Sequence, residues 1–129
     1  MPRAKQLTLT VPDRPGMLGQ IATAFGEKKV NIEGLCAATT GGGGMIWAVV
    51  DKTAAAKKIA AQHGWDVKED DVLEVTLSDS PGSLGRFATR LGKAGVNITF
   101  VYVGSARSAR KVTAYFGVSD LKAALKVRA

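Results

Sequence analysis

The stretch Asp13-Arg14-Pro15-Gly16-Met17-Leu18-Gly19 returns 66 residues later as Asp79-Ser80-Pro81-Gly82-Ser83-Leu84-Gly85, and nothing else in the chain limits its fold so strongly. The correspondence continues at the same offset. Ala22-Thr23 falls on Ala88-Thr89, Gly26 on Gly92, and Val30-Asn31-Ile32 on Val96-Asn97-Ile98. With no gap, Ile46, Ala48 and Val50 fall on Val112, Ala114 and Phe116. A duplication has to be read before any single element. It divides the 129 residues into units at 1–70 and 71–129, each near the size at which a lone core is marginal.

Within each unit the side-chain periods alternate between strand and helix. Leu7, Leu9 and Val11 alternate with Thr8 and Thr10, as Leu73, Val75 and Leu77 do in the second copy, which predicts half-buried strands. After the Asp-x-Pro-Gly turn, Leu18, Ile21, Ala22 and Phe25 recur at helical spacing, matched by Leu84, Phe87, Ala88 and Leu91. Gly26 and Gly92 lie at or near the helix ends, and Gly95 offers a second stop. Residues 30–40 and 45–50 flank the glycines at 41–44 and predict a hairpin, and residues 104–110 form the equivalent tip with two arginines. Thr53–His63 reads as a helix capped by Asp51 or Thr53, with Gly64 beyond its end, and 119–127 is its counterpart. Residues 65–68 suggest a short last strand and Glu69-Asp70-Asp71 a polar link. The order β-α-β-β-α-β is the split βαβ of an α+β, ferredoxin-like fold, with antiparallel sheets and helices on one face. The second unit stops before its last strand, which leaves residues 72–78 with an open edge and predicts a dimer or larger assembly.

Composition removes several kinds of chemistry. Cys36 is the single cysteine and His63 the single histidine, so neither a metal site nor Cys/His catalysis is expected. No catalytic residue and no cofactor is assigned. No apolar run approaches the ~18 residues of a membrane span, and the N-terminus lacks a signal-peptide core, so the expected location is the cytoplasm. The net charge of +7 is unevenly spread, with +1 on residues 1–71 and +6 on 72–129. Such asymmetry suits either a solvated basic face or an anionic partner.

The repeated turn carries the candidate chemistry. Proline sets φ and lacks an N–H, and the glycine after it lets backbone approach a ligand closely. The amides of residues 16–18 and 82–84 then open a helix, where unpaired donors and the helix dipole favour a small anion such as a carboxylate. The alternative is that Asp13 and Asp79 cap their helices and Pro-Gly merely turns the chain. Asn31 and Asn97 open the second strand of each unit, as ligand contacts or turn formers.

Strand, Asp-x-Pro-Gly-x-Leu-Gly, amphipathic helix and Val-Asn-Ile together resemble the ACT domain, a small-molecule-sensing module of amino-acid metabolism. The resemblance runs from about residue 6 to 127 and appears in both repeats. It implies a tandem regulatory protein that binds a free amino acid and signals through its own assembly or a regulated enzyme or regulator protein. It also implies that two units lie side by side through their second strands, with the ligand at that junction. The residues it assigns are Asp13, Pro15, Gly16, Met17, Leu18 and Asn31, and Asp79, Pro81, Gly82, Ser83, Leu84 and Asn97. Arg14 against Ser80 and Met17 against Ser83 suggest two non-equivalent sites.

Two other classes rank lower. Nucleic-acid binding fits the basic second half and the topology shared with RNA-recognition domains, but the strands at 45–50 and 111–116 lack stacking aromatics. An enzyme ranks third, since no nucleophile–base pair stands out. Trp47 is expected on the sheet face away from the helices, either as an apolar patch with Met45 and Val49 or as a partly exposed tryptophan. Phe100 and Tyr102 are read as core residues beside the junction, His63 as a helix C-terminal residue, and Cys36 as a small buried hydrophobe.

Overall fold

The computed structural model describes residues 3–104 and 110–129. In chain order the elements are β1 (Arg3–Val11), α1 (Met17–Glu27), β2 (Ile32–Thr40), β3 (Gly43–Val50), α2 (Thr53–Gln62), β4 (Asp66–Ser78), α3 (Ser83–Lys93), β5 (Ile98–Val103), β6 (Lys111–Val118) and α4 (Leu121–Ala124). Two compact units divide the chain at Asp70/Asp71, with Arg3 and Ala4 belonging to the later one. Both have the ferredoxin-like arrangement expected from the sequence.

In the first unit the strand order is β2-β3-β1-β4. β3 runs antiparallel to β1 with Leu7 facing Ala48 and Leu9 facing Ile46, and antiparallel to β2 with Leu35 facing Ala48. Leu7, Leu9, Ile46 and Ala48 therefore project to one face and meet Ile21 and Phe25 of α1 and Ala56, Ile59 and Ala60 of α2 in a single core. Burying a side chain such as Ile21 or Phe25 contributes about 1.5–3 kcal/mol. The stripe of α1 is Met17, Ile21, Ala24 and Phe25; Leu18, expected in the core, is 42% exposed. The second unit has the order β4-β6-β5, with a core of Leu73, Val75, Leu77, Phe87, Leu91, Ala114 and Phe116, while Leu84 is 46% exposed. Both repeats thus start the helix one residue before the exposed leucine, rotating it off the core stripe.

The left-handed stops of the first helices lie at Lys29 (φ 60°) and Gly95 (φ 77°), not at Gly26 and Gly92. Each closes the same pair of bonds: Val30 N–H to the Phe25 carbonyl and Lys29 N–H to that of Gly26, then Val96 N–H to Leu91 and Gly95 N–H to Gly92. Lysine occupies the left-handed position in the first copy. The capping of α2 also differs from expectation. Its N-cap is Lys52 and makes no side-chain cap bond, because the Asp51 carboxylate accepts the Asn31 N–H instead at 2.9 Å. α4 is a short counterpart of four residues, capped by Asp120, whose Oδ1 accepts the Ala123 N–H at 3.0 Å.

One reading of chain connectivity is corrected. Glu69-Asp70-Asp71 is not a link but the middle of the 13-residue strand β4, its acidity matched by neighbours. Glu69 pairs with Lys5 of β1 and Lys57 of α2, at 3.7 and 3.1 Å, and Asp71 with Arg3 at 3.0 Å. β1 starts at Arg3, beside Asp71, and so lies along the part of β4 before residue 72, while residues 73–78 pair with β6 on their other side. β2 and β5 are the edge strands, each with one neighbour.

The second hairpin also departs from the ungapped alignment. Leu7 faces Ala48 while Leu73, 66 residues on, faces Phe116, so β6 corresponds to β3 at an offset of 68. Ile46, Ala48 and Val50 match Ala114, Phe116 and Val118. The tip at residues 105–109 lies outside the described residues. The first tip is short, since β3 begins at Gly43.

Candidate functional site

The two Pro-Gly turns are built alike. Gly16 and Gly82 sit at φ 86° and 85°, in the left-handed region that an L side chain occupies only with strain, and each is the N-cap of its helix. Neither cap makes a side-chain hydrogen bond among the described residues, so Asp13 and Asp79 do not cap their helices. Part of the donor set is consumed internally. The Met17 N–H donates to the Arg14 carbonyl at 3.3 Å and the Ser83 N–H to that of Ser80 at 3.2 Å. Of the amides expected at 16–18 and 82–84, those of Met17 and Ser83 are thus taken, and Gly19 and Gly85 extend the set of first-turn donors beyond Leu18 and Leu84.

In the first unit this turn borders a cavity of about 330 Å³. Asp13, Gly16, Met17 and Leu18 line one side, and Ala37, Ala38, Thr39, Gly44 and Met45 of the β2–β3 hairpin the other. Met17 lends its backbone and is itself buried among the core residues, whereas Leu18 presents an exposed side chain. Pro15 shapes the turn without lining the cavity. The hairpin residues were missed from sequence; their signal lay in the pairing of Val11 with Gly44 and of Gly44 with Thr39, which brings the hairpin tip to the level of the turn.

Asn31 is not part of this cavity. It precedes Ile32, which pairs with Val50 at the far end of β2 from Thr39, roughly 25 Å along the strand at ~3.3 Å per residue. Its backbone exchanges two bonds with Asp51: N–H to Oδ1 at 2.9 Å, and carbonyl from the Asp51 N–H at 3.1 Å. Asn97 repeats this with Ser119, its N–H donating to Oγ at 2.9 Å and its carbonyl accepting the Ser119 N–H at 2.9 Å. Each asparagine ties the start of an edge strand to the following helix entry, leaving the exposed side-chain amide outward. Within a unit, the turn and the asparagine stand at opposite ends of one edge.

The second turn has different surroundings. The Asp79 N–H donates to the Arg110 carbonyl at 2.7 Å, the Ser78 and Ser80 hydroxyls are 3.0 Å apart, and Pro81 is exposed. Ser83 borders a cavity of about 260 Å³ with Ser78, Arg86, Arg90 and Lys111, which sequence reading also missed. Their signal was available: at the repeat offset, Arg86, Arg90 and Lys93 replace Gln20, Ala24 and Glu27.

The singular residues settle simply. Val49 is 3% exposed, so it does not join an open apolar patch, and Trp47 is half-buried, in keeping with the alternative of a partly exposed tryptophan. Tyr102 is buried with its ring 5.3 Å from that of Tyr115 and 6.2 Å from Phe100. His63 Nδ1 lies 3.0 Å from the Ile59 carbonyl and the ring stacks on Trp65 at 4.4 Å. Cys36 is half-buried. Among the described residues no three His, Cys, Asp or Glu side chains cluster to hold a metal, and no helix is long and apolar enough to cross a membrane.

Comparison with known proteins supplies the remaining finding. A solved structure from Bacteroides thetaiotaomicron is similar with a TM-score of 0.88 at 21% identity, over 97% of this chain and 85% of that one. The regulatory subunit of aspartate kinase from Thermus thermophilus, in a ligand-free form, gives 0.65 at 15% identity over 96% and 88%. That from Thermus flavus gives 0.64 at 16% over 98% and 90%. At these identities the likeness is one of fold. None of the curated proteins matches the chain. The family model of the ACT domain matches residues 5–63 and again 72–127, one match for each βαβ-containing repeat and together most of the sequence, so the chain belongs to the ACT domain family as a tandem pair.

Proposed function

We propose that this chain is a non-catalytic regulatory module that binds a free amino acid at its Pro-Gly turns. The carrying observation is the uncapped helix start at left-handed Gly16, facing a cavity of about 330 Å³. The Leu18 and Gly19 amides offer the α-carboxylate two donors at the positive end of α1, and Leu18 and Met45 supply apolar wall for a side chain. The glycine is required there by its φ of 86° and not by crowding, since a Cβ built at Gly16 meets nothing within 4 Å.

Asn31 joins such a site only across an edge. β2 is an edge strand, and a second edge laid antiparallel to it would bring the asparagine of one copy to the turn of another. The same holds for β5, Asn97 and the turn at Gly82. The working unit is then a homo-oligomer, dimer or larger, in which ligand binding favours one arrangement of copies and a regulated enzyme or regulator protein reads it.

A thermal-shift screen with the twenty amino acids tests this directly. Ligand at 100 times its Kd stabilises by about 2.7 kcal/mol. A Tm unchanged by all twenty at millimolar concentration would refute the reading.

A further inference from the structure

The cavity beside α3 has a character that an amino-acid site does not need. Arg86 and Arg90 stand one turn apart on the same helix face, Lys111 opens β6 across from Ser78, and all three line the cavity of about 260 Å³ with the Ser78 and Ser83 hydroxyls. No aspartate or glutamate lines it. None of the three cations makes an ion pair with a described residue, although the acidic residues of β4 do so elsewhere. The Arg86 guanidinium folds back towards the start of its own helix: a Cβ built at Gly82 would lie 2.8 Å from Nη1. A cation is unfavourable at the positive end of a helix. Like charges four residues apart on a helix also repel.

The duplication shows that the fold does not require this arrangement. At the corresponding positions the first repeat has Gln20 for Arg86, Ala24 for Arg90, Met17 for Ser83 and, at the hairpin offset of 68, Gly43 for Lys111. One copy of a common frame has thus gained three positive charges and a hydroxyl around a single concavity.

We propose that this cavity binds a small phosphate-bearing ligand, at a site distinct from the amino-acid cavity beside Gly16 and bordering the second turn through Ser83. Three cations around one space, with Ala129 at its rim, match a dianion better than a single carboxylate, and a phosphate monoester carries about −1.5 to −2 charges at pH 7. Guanidinium forks match phosphate oxygens in pairs, and hydroxyls at Ser78 and Ser83 add neutral donors. A zwitterionic amino acid would turn its ammonium towards three like charges. The concave shape distinguishes a compact ligand from a nucleic-acid strand, which is tracked by a groove with stacking aromatics.

Pyrophosphate titrated calorimetrically into the full chain at 0.15 M NaCl is the test, and the first repeat designs its variants. Wild type is expected to give a saturable one-site isotherm. Arg86→Gln and Arg90→Ala, each installing the residue of the first repeat, are expected to weaken it about tenfold or more, as loss of a charge-assisted bond does. Lys122→Gln, a basic residue of α4 outside the cavity, should leave it unchanged. Absence of saturable binding, or equal weakening by all three variants, overturns the proposal. So does displacement of pyrophosphate by a single-stranded oligonucleotide with a steep salt dependence, which would assign the charge to nucleic acid. Amino-acid binding by Arg86→Gln is measured in parallel, so that the two sites fail or hold independently.

Discussion

The bulge shared by β2 and β5 offers a quantitative test of how the two repeats keep one frame. In the first, Gly34 faces Val49; in the second, Phe100 faces Gly117, with the register shifted beside each pair. The small and large residues have exchanged strands. Gly117 has no room for a side chain, because a Cβ built there would collide with the Phe100 ring. That ring is stacked on Tyr102 at 6.2 Å and 12°, so retreat disturbs a second aromatic. Gly117→Ala therefore forces an off-rotamer ring or a strand shift, at a cost of about 1–3 kcal/mol. For a chain of this size Tm should fall by about 3–10 °C. In a Phe100→Ala background the collision is gone, and Gly117→Ala should cost less than about 0.5 kcal/mol, leaving a coupling of about 0.5 kcal/mol or more. Urea denaturation of the four proteins measures the cycle. Equal losses in both backgrounds would show that Gly117 is required by its backbone and not by Phe100.

Lys29 at φ 60° carries left-handed strain that Gly95 avoids, so Lys29→Gly should stabilise the fold by about 0.5–1 kcal/mol and Gly95→Lys should destabilise it by a similar amount, measured by the same denaturation. Gly16→Ala should leave a folded protein, at a strain of about 1–2 kcal/mol that the turn relieves by shifting its backbone, and so reduce amino-acid affinity by calorimetry; unchanged affinity would remove the turn from the site. Gly16→Pro is a poorer probe, because proline cannot take φ 86°. Light scattering should give a mass above the 13.5 kDa of one chain, and Ala38→Lys on the β2 edge should lower it; a single-copy mass with and without amino acids would refute edge pairing.

What was legible in the sequence was what repeats. The Pro-Gly turns, the strands at Leu7 and Leu73 and the helices after them came directly from the duplicated pattern. The offset of 68 in β6 was hidden by the strand period itself: a shift of two residues returns every side chain to the same face, so Ala114 looked as good a partner for Ala48 as Phe116. The exposure of Leu18 and Leu84 was hidden because a helix stripe read from apolar residues alone has no fixed starting phase, and Met17 entered the core instead. Asn31 and Asn97 were located correctly along the chain, but their separation from the turns needed the strand register. The cations around Ser83 were visible as charge in the second half, yet only the packing of α3 against β4 and β6 gathers Arg86, Arg90 and Lys111 around one space.

The continuity of β4 bears on how such a protein can be cut, spliced or inherited. Asp70/Asp71 is where the compact units divide, but it is also a peptide bond inside a hydrogen-bonded strand, flanked by ion pairs from Lys5 and Arg3. A protease finds no slack segment there, and a gene fragment ending at residue 70 would remove Asp71 from beside Arg3. Expressed halves should therefore be less soluble than their size suggests, each exposing a raw strand end. Nor is there a spacer whose length could drift without consequence. An inserted residue at the boundary would reverse the facing of β4 on one side of it, sending Leu73, Val75 and Leu77 to the opposite face from their core.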